Sequence, residues 1–371
     1  MPVATSTETV TPTSPTTTGT LKLRGQTEAP ITSAYPDLDE KGWTVVKGVV
    51  PKEKAAKYVD RMYEWAEKYG TGFKRDDRET WQIKNMPAFN KAGLINRNGV
   101  GHEQFVWDMR SEPALIDAFA KIWGTDQLLV SFDGINITLP YKDDLGWRAE
   151  PWPHVDQSPL KRYKHCIQGI INLADNGPKD GGLMILDGSF QLYNQFFEEN
   201  DADKPADGWS WLDQYSFTEK QMQWFYDHGC KWTKLACEPG DLLLWDSRCV
   251  HYGAHAEGDN PRLAMYVCYK PAKDATPECL AVRKRLMKDW GMTSHDPLIF
   301  RERGTQIFGK KTPNEREVPD DKPILSDRAK QLAGITEYPG LSYPDTTGLE
   351  YSQLEYGPGL AGNRDTSGDP A

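Results

Sequence analysis

The 371-residue sequence lacks the patterns that mark several large classes of protein. No apolar run approaches the ~18 residues of a membrane-spanning helix, and residues 1–20 contain neither a secretory apolar segment nor an arginine-rich transit pattern. No glycine pattern of a Rossmann fold or a P-loop occurs, and no repeat of fixed period is found. We therefore expect a soluble cytoplasmic protein that does not use a membrane as its partner.

Long basic runs are also missing, and the formal net charge is −10. Both observations argue against nucleic acid as a partner and favour a small molecule, while the oligomeric state stays unknown. The cysteines show no C-x-x-C spacing, and several lie in apolar runs, so we expect buried, reduced thiols and not disulfides or a zinc site. These residues are Cys166, Cys230, Cys237, Cys249, Cys268 and Cys279.

The composition indicates one large folded domain with irregular ends. Thirteen tryptophans and 11% aromatic residues are enough for a sizeable core and for aromatic-lined pockets. Residues 1–30 are rich in Thr, Pro and Ser and are predicted to form a flexible tail. Residues 31–335 are predicted to be a single domain, and residues 336–371, rich in Gly, Pro and Tyr, a second tail that partly lies over it.

Apolar periodicity changes along this domain. Helical spacing, followed in each case by glycine, occurs in residues 51–70, 112–124, 217–229 and 276–291. From about residue 127, short apolar runs alternate with Gly, Asp and Pro, as in "QLLVSFDGINITLP", "GDLLLWDS" and "RLAMYVCYKP". This texture favours a β-sandwich or barrel over a doubly wound α/β fold. The predicted class is therefore α+β, mainly β with added helices.

The stretch "PWPHVDQSP" places His154 and Asp156 one residue apart. In a strand, residues i and i+2 point to the same side, so both side chains can converge on one metal ion. Two imidazoles and one carboxylate on one face of the ion are typical of non-heme Fe(II) oxygenases. His251, which follows the apolar run "GDLLLWDS", is the best candidate for the third ligand.

An arginine stands eleven residues after His251, at the start of "RLAMYVCY". Arg262 is predicted to point inward from a strand next to the distal histidine, where a guanidinium can bind a dicarboxylate through two hydrogen bonds. His255 is a rival third ligand, but its step to Arg262 is only seven residues. An inward arginine in an apolar strand implies an anionic ligand, because an unpaired buried charge is costly.

Together the H-x-D pair, "GDLLLWDSRCVH", the eleven-residue step to arginine and the "GGLMILDGSF" turn resemble the phytanoyl-CoA dioxygenase family of Fe(II)/2-oxoglutarate oxygenases. The resemblance covers roughly residues 30–300, and "GHEQFVWDMR" is similar to fungal members. It implies a double-stranded β-helix, a cupin-like jelly roll, over about residues 127–272. One departure is "DGSF" where the family has P-G-S-H, with Asp187 and Phe190, which we expect to affect the shape of the pocket.

What the resemblance implies about chemistry is specific. Fe(II) would be held by His154, Asp156 and His251, and Arg262 would bind the distal carboxylate of 2-oxoglutarate. With O2 as oxidant and ascorbate to keep the iron reduced, the reaction would release succinate and CO2 and hydroxylate an unactivated C–H bond of a small organic molecule. Asp156 occupies the position that halogenases of this fold leave to chloride, so oxygen transfer or desaturation is favoured over halogenation.

Further residues are candidates for lining the site. Asn136 and Gln168 alternate with isoleucines on predicted strands and are expected to bind the 2-oxoglutarate carboxylate near the iron, although a solvated sheet face would explain them too. Gln104, Arg110 and Thr138 are predicted substrate contacts. The remaining expectations are structural: Trp107 in the core, His165 as a supporting residue, an Asp246–Arg248 pair, and no assigned role for His102, His228 and His295.

Three alternatives stay open. The same iron chemistry can produce desaturation or rearrangement in secondary metabolism. The chain can also be a non-catalytic jelly-roll protein that binds a small molecule, although the intact ligand set argues against this. A cupin-type metalloenzyme without 2-oxoglutarate would leave Arg262 unexplained. The substrate itself does not follow from these residues, and no basic site for a CoA diphosphate is evident.

Overall fold

The computed structural model of the chain describes residues 33–97, 99–210, 212–303, 314–343 and 364–365. The predicted N-terminal tail, residues 1–30, lies outside the described residues. Of the predicted C-terminal tail, only residues 336–343 and 364–365 fall within them.

The helices precede, interrupt and follow the strands. They are α1 (Pro36–Lys41), α2 (Lys52–Lys68), α3 (Gln104–Arg110), α4 (Pro113–Trp123), α5 (Ser189–Glu199), α6 (Glu219–Asp227), α7 (Pro277–Asp289) and α8 (Asp327–Ala333). The four helices predicted from periodicity and glycine are confirmed as α2, α4, α6 and α7. Gly124 shows why glycine follows α4: it has φ 68° and donates its N–H to Ala120 O.

The strands are β1 (Trp43–Val46), β2 (Leu94–Ile95), β3 (Leu128–Val130), β4 (Ile135–Thr138), β5 (His154–Val155), β6 (Ile167–Asn172), β7 (Gly182–Asp187), β8 (Tyr215–Ser216), β9 (Lys231–Lys234), β10 (Leu242–Asp246), β11 (His251–Ala254), β12 (Arg262–Pro271), β13 (Met292–Thr293), β14 (Glu302–Arg303) and β15 (Arg364–Asp365). The short apolar runs after residue 127 are thus strands, as predicted.

Two antiparallel sheets dominate the architecture. The larger has the order β1-β10-β6-β12-β4-β2, with β3 paired to β12, and the smaller has the order β8-β5-β11-β7-β9. A third, small sheet joins β13, β14 and β15. The molecule is therefore a mixed α/β protein with antiparallel sheets, in agreement with the predicted α+β class.

Successive side chains of β12 belong to two different cores, which shows that the larger sheet is buried on both faces. Leu263, Met265, Val267 and Tyr269 join a core that also contains residues of α2, α3 and α4. The intervening Ala264 belongs to a second core shared with Leu183 and Ile185 of the smaller sheet. Because both faces are covered, a strand such as β10 has four consecutive apolar residues, Leu242 to Trp245, although antiparallel sheets often alternate.

The smaller sheet is covered on its outer face by α5 and α6. Their aromatic residues, including Phe196 and Phe225 with rings stacked 4.9 Å apart, pack with Leu186 of β7 and with Val250. All six cysteines are buried, as expected, and the structure places none of them in a disulfide. Within the described ranges, no helix combines the length and the apolar character needed to cross a bilayer.

Candidate metal centre

Strand pairing brings the predicted metal ligands together from distant parts of the sequence. His251 opens β11 directly opposite His154 of β5, and Asp156 follows β5 by one residue. His251 Nε2 lies 3.3 Å from Asp156 Oδ2, and His154 Nε2 lies 3.7 Å from Asp156 Oδ1. One ligand atom from each residue lies within 4.8 Å of the other two, so the three side chains converge on one point.

Backbone carbonyls fix the orientation of both imidazoles. His154 Nδ1 lies 2.8 Å from Trp152 O, and His251 Nδ1 lies 3.0 Å from Cys249 O. A carbonyl only accepts, so each Nδ1 carries the proton and donates, which leaves the Nε2 lone pair free. Both free lone pairs belong to the atoms that converge near Asp156. This arrangement is the one that a histidine needs in order to bind a metal.

Electrostatics keep these groups in their ligand forms. Burial and the neighbouring His251 lower the pKa of His154 from 6.5 to about 4, so the imidazole is neutral near pH 7. Burial alone would raise the pKa of Asp156, but the imidazoles of His295, His154 and His251 outweigh it and hold that pKa well below its usual range. A neutral imidazole and an ionised carboxylate are the metal-binding forms.

The donor set fits a ferrous ion. Two imidazole nitrogens and one carboxylate suit a divalent first-row metal that keeps its remaining positions open. Cysteine, which would favour zinc or an iron–sulfur cluster, contributes no atom to this cluster. His255 contributes none either and follows the last residue of β11, so the structure favours His251 over its rival.

Gln168 supports the carboxylate from the larger sheet. Its Nε2 donates to Asp156 Oδ2 over 2.9 Å, from a position on β6. The sequence predicted that Gln168 would bind the carboxylate of 2-oxoglutarate. In the structure Gln168 lines the expected cavity, but its amide N–H donates to the metal ligand Asp156. This hydrogen bond indicates that Gln168 holds Asp156 in place.

Arg262 begins β12 opposite Thr138 of β4, and its side chain is buried with 3% exposure. Among the residues that the structure describes, no carboxylate pairs with it, and its Nη1 is buried without a hydrogen-bond partner. The indole Nε1 of Trp245, a residue of the same cavity, is in the same state. Because these two buried donors line the same cavity, they indicate that an oxygen-rich anion belongs beside them.

Both sheets contribute to a single cavity of about 360 Å³. His154, Asp156, His251, Gln168 and Arg262 all line it. Apolar walls come from Ile170, Leu183 and Trp245, and further side chains come from residues 90–96, 147–152, 212–216 and 294–303. Metal ligands, a buried guanidinium and an apolar wall thus share one cavity, which is the setting expected of an active site.

The "DGSF" turn lies elsewhere than expected. Asp187 accepts a hydrogen bond from Trp43 Nε1 over 2.9 Å, and the Phe190 ring lies under Arg248, 4.7 Å from Cζ. Neither residue lines the cavity, so the expectation that this departure shapes the pocket is wrong. The turn instead contacts the segment that carries a metal ligand, because Ser189 Oγ accepts a hydrogen bond from Val250 N, one residue before His251.

Other predicted site residues have structural contacts. Asn136 and Thr138 both donate to Ala92 O, over 2.6 and 2.7 Å, and both are fully buried behind the cavity wall. Arg110 donates to Gly101 O and Asp133 O and is fully buried. Gln104 lines a different cavity beside α2 and donates to Asp108. The structure therefore does not bring these four residues into contact with the metal-site cavity.

The predicted supporting residues are where the sequence placed them. Trp107 is 1% exposed and belongs to the core, and Arg248 pairs with Asp246 through two bonds of 2.8 and 2.9 Å. His295 was given no role by the sequence, yet it lines the cavity, and its Nε2 is buried without a partner in the described chain. It follows β13, far from the metal ligands in sequence, and no spacing pattern points to it.

A buried ion cluster next to the cavity was missed by sequence reasoning. Lys161 Nζ lies 2.6 Å from Asp213 Oδ2, and Lys270 Nζ lies 2.9 Å from Asp296 Oδ2. His165 Nε2 bridges the two carboxylates at 3.2 and 3.3 Å. We call these five residues the ion cluster. A lysine inside the apolar run of β12 was the one signal that the sequence offered for it.

A family model described as "Phytanoyl-CoA dioxygenase (PhyH)" matches residues 38–264 of this chain. The sequence is 40% identical over 263 residues to "Ava biosynthesis cluster protein O" of Aspergillus versicolor, covering 70% of this chain and 84% of that protein. It is 20% identical over 289 residues to "Putative phytanoyl-CoA dioxygenase" of Dictyostelium discoideum, covering 68% and 79%.

Among solved structures, the chain is similar to the epimerase SnoN in complex with Fe3+, alpha ketoglutarate and nogalamycin RO. The TM-score is 0.44 with 16% identity, over 79% of this chain and 94% of that chain. A structure of EctD from S. alaskensis in its apoform gives a TM-score of 0.45 with 14% identity, over 69% and 84%.

Proposed function

Because the chain belongs to the phytanoyl-CoA dioxygenase family of Fe/2-oxoglutarate-dependent oxygenases, we propose that it hydroxylates an unactivated C–H bond of a small organic molecule. Its cofactors are iron and 2-oxoglutarate, with dioxygen as the oxidant. His154, Asp156 and His251 would hold the iron, and Arg262 would bind the distal carboxylate of 2-oxoglutarate. Succinate and CO2 would be the co-products.

The observation that carries this proposal is the pairing of two features in one cavity. A converged set of two imidazoles and one carboxylate lies in the same space as a buried guanidinium that has no carboxylate partner among the described residues. A metal-binding protein of another kind would have no use for the arginine. A diacid could bind the metal with one carboxylate and pair with the Arg262 guanidinium through the other.

The iron, with its co-substrates bound, supplies the oxidising power for C–H cleavage. The protein contributes orientation. Hydrogen bonds to Trp152 O and Cys249 O fix the imidazoles, and Gln168 fixes the carboxylate. Ile170, Leu183 and Trp245 give the cavity an apolar wall that limits water near the reacting C–H bond.

We also propose that the two sheets are the two halves of a double-stranded β-helix. The support is their antiparallel pairing, the core shared between them and the family to which the chain belongs. In such a fold the metal ligands lie where the sheets open, which agrees with a cavity lined from both.

The test is succinate formation by the purified full chain with Fe(II), O2 and 2-oxoglutarate, measured by mass spectrometry for wild type, Arg262→Leu and Arg61→Leu. Arg61 is a half-buried, salt-bridged arginine on α2 that does not line this cavity, and it serves as the matched control. We expect Arg262→Leu to raise the 2-oxoglutarate concentration for half-maximal rate by about 100-fold, since a charged hydrogen-bonding partner is lost, with iron binding retained.

Wild-type protein that binds iron but forms no succinate would contradict the proposal. So would an Arg262→Leu variant with unchanged co-substrate dependence. Once the substrate is known, a product mass 16 Da above it indicates hydroxylation, whereas a loss of two hydrogens or an unchanged mass indicates desaturation or rearrangement and would overturn the proposed reaction.

A further inference from the structure

The substrate side of the cavity contains a cation between two indole rings. Lys91 Nζ lies 5.1 Å from the ring centroid of Trp152 and 5.9 Å from that of Trp147. All three residues line the cavity. Within the described residues Lys91 has no carboxylate partner, whereas Lys142, Lys161 and Lys270 are each paired with an acid. An ammonium held this way has hydrogen-bond donors to offer a ligand.

The backbone holds this lysine in place at some conformational cost. Ala92 adopts φ 49° and ψ 39°, a left-handed conformation that is unfavourable for a residue with a side chain. Its carbonyl accepts two hydrogen bonds, from Asn136 Nδ2 and Thr138 Oγ1. A Cβ on Gly93 would lie 2.4 Å from Thr138 Oγ1, so only glycine permits this close approach. The turn that carries Lys91 is thus fixed to β4.

An unsatisfied acceptor belongs to the residue before Lys91, which lines the same cavity. Asn90 is 3% exposed and lines the cavity, and its Oδ1 has no hydrogen-bond partner in the described chain. Its Nδ2 is already used, donating to Asn96 Oδ1 over 3.2 Å. A buried acceptor without a donor costs free energy unless a ligand satisfies it.

The aromatic wall continues to the metal ligands. The Trp152 ring lies nearly parallel to that of His154, with centroids 6.1 Å apart, and Trp152 O accepts the hydrogen bond that orients this histidine. A Cβ on Gly253, two residues after His251, would lie 3.3 Å from the Trp152 ring, which shows how closely this wall approaches β11. A planar group on Trp152 therefore lies beside the metal centre.

We propose that this subsite binds an aromatic substrate that carries a carboxamide-type group, with its carbonyl oxygen on Lys91 Nζ, its N–H on Asn90 Oδ1 and its ring against Trp152 and Trp147. The inference rests on the proposed function only in calling the ligand a substrate. A carboxamide matches the wall because it offers an acceptor and a donor side by side, and the indoles supply faces on which a ring can stack. An acid or an amine would satisfy only one of the two residues.

The test is isothermal titration calorimetry of the full chain loaded with Mn(II) and saturating 2-oxoglutarate. The probes are 2-naphthamide, its N-methyl and N,N-dimethyl derivatives, and 2-methylnaphthalene. We expect 2-naphthamide and its N-methyl derivative to bind with similar Kd, because both keep an N–H. The dimethyl derivative, which has no N–H for Asn90, and 2-methylnaphthalene, which has neither group, should each bind about tenfold more weakly or worse.

The protein variants are Lys91→Met, Lys91→Arg and, as matched control, Lys121→Met, whose lysine is exposed on α4. Lys91→Met should weaken 2-naphthamide about tenfold and leave 2-methylnaphthalene unchanged, whereas Lys91→Arg should restore most of the affinity and Lys121→Met should match wild type. Thermal unfolding of each variant confirms that it is folded.

Equal binding of 2-naphthamide and 2-methylnaphthalene would overturn the inference, as would no binding of any probe or a Lys91→Met variant that binds like wild type. If such protein still takes up Mn(II) and 2-oxoglutarate, the proposed function survives. If instead the probes bind in a Lys91-dependent way but Mn(II) does not, the proposed function fails and the subsite stands.

Discussion

Two clusters of histidine and aspartate lie near each other in this protein, and they differ in how their charges are compensated. In the ion cluster, two lysines balance two aspartates within 2.6 and 2.9 Å, and His165 lies between the carboxylates. In the metal centre, the side-chain partners of Asp156 among the described residues are imidazoles and the amide of Gln168. The carboxylate charges are therefore balanced by lysines in the ion cluster, whereas the charge of Asp156 in the metal centre is not.

That difference separates a structural cluster from a ligand-binding one. A buried carboxylate that is paired with a lysine has no need of a further cation, whereas Asp156 and the two lone pairs that face it are satisfied only when a cation arrives. Histidine and aspartate in proximity are therefore a weak indication of a metal site. The absence of a lysine or an arginine from the cluster is the stronger one.

The largest effect should come from removing a ligand from the metal centre. His251→Ala should lower metal affinity by at least about 100-fold, since one of three protein ligands is lost, and should abolish succinate formation. His165→Ala should leave metal affinity within about threefold of wild type, although the two rings are similarly buried. Mn(II) titration followed by electron paramagnetic resonance measures both, and a similar loss in the two variants would remove the distinction between the clusters.

For the free energy of unfolding, the ranking of the two clusters should be reversed, with the larger effect in the ion cluster. Lys270→Met leaves Asp296 buried without its cation, and we expect it to lower the free energy of unfolding by about 3–5 kcal/mol. Asp156→Asn in metal-free protein removes a carboxylate that imidazoles and the Gln168 amide stabilise, but with which no lysine or arginine pairs among the described residues, so it should lower that free energy by less, about 1–2 kcal/mol. Urea denaturation of both variants without metal decides this, and a Lys270→Met variant as stable as wild type would contradict it.

Acid should weaken the ion cluster through His165. Burial, together with Lys161 and Lys270, lowers its pKa from 6.5 to about 4. Between these values the unfolded chain takes up a proton that the folded chain refuses, so stability is complete above about pH 6.5 and falls as the pH drops towards 4. His165→Gln removes this dependence and should flatten the pH profile of unfolding by up to about 3 kcal/mol across the window.

That pH profile is measured by urea unfolding at several pH values for wild type and variant. His102 and His154, whose pKa values are also lowered by burial, to about 3 and about 4, remain in both proteins and supply the residual slope. Parallel profiles for the two proteins would show that His165 does not titrate in this way.

The smallest effect should come from the residue that only supports the metal centre. Gln168→Leu removes the hydrogen bond to Asp156 and should weaken metal binding by about tenfold, with the fold and the 2-oxoglutarate dependence retained. Gln168→Glu is the informative companion, because a carboxylate there repels Asp156 unless the metal is bound. Metal titrations measure both, and a Gln168→Leu variant with full affinity would show that Asp156 needs no such support.

Much of the metal centre could be predicted because its information is local. The H-x-D spacing fixes two ligands by strand geometry, and the arginine at the head of an apolar strand indicates an anion without reference to any neighbour. The substrate side of the cavity could not be predicted in this way. Gln104 and Arg110 belong to the "GHEQFVWDMR" stretch, and Asn136 and Thr138 lie on a predicted strand. Sequence alone does not show whether such polar groups face a ligand or a backbone carbonyl.

The amino-acid sequence by itself determined four helices, the apolar strands after residue 127, the ligand types and the arginine, because periodicity, spacing and side-chain chemistry are properties of short segments. The tertiary structure decided that His251 lies opposite His154, that five distant residues compensate one another as the ion cluster, and that Asn90, Lys91 and Trp152 share a wall with the metal ligands. Those facts depend on contacts between segments far apart in the chain, where burial and charge are settled only when the chain is folded.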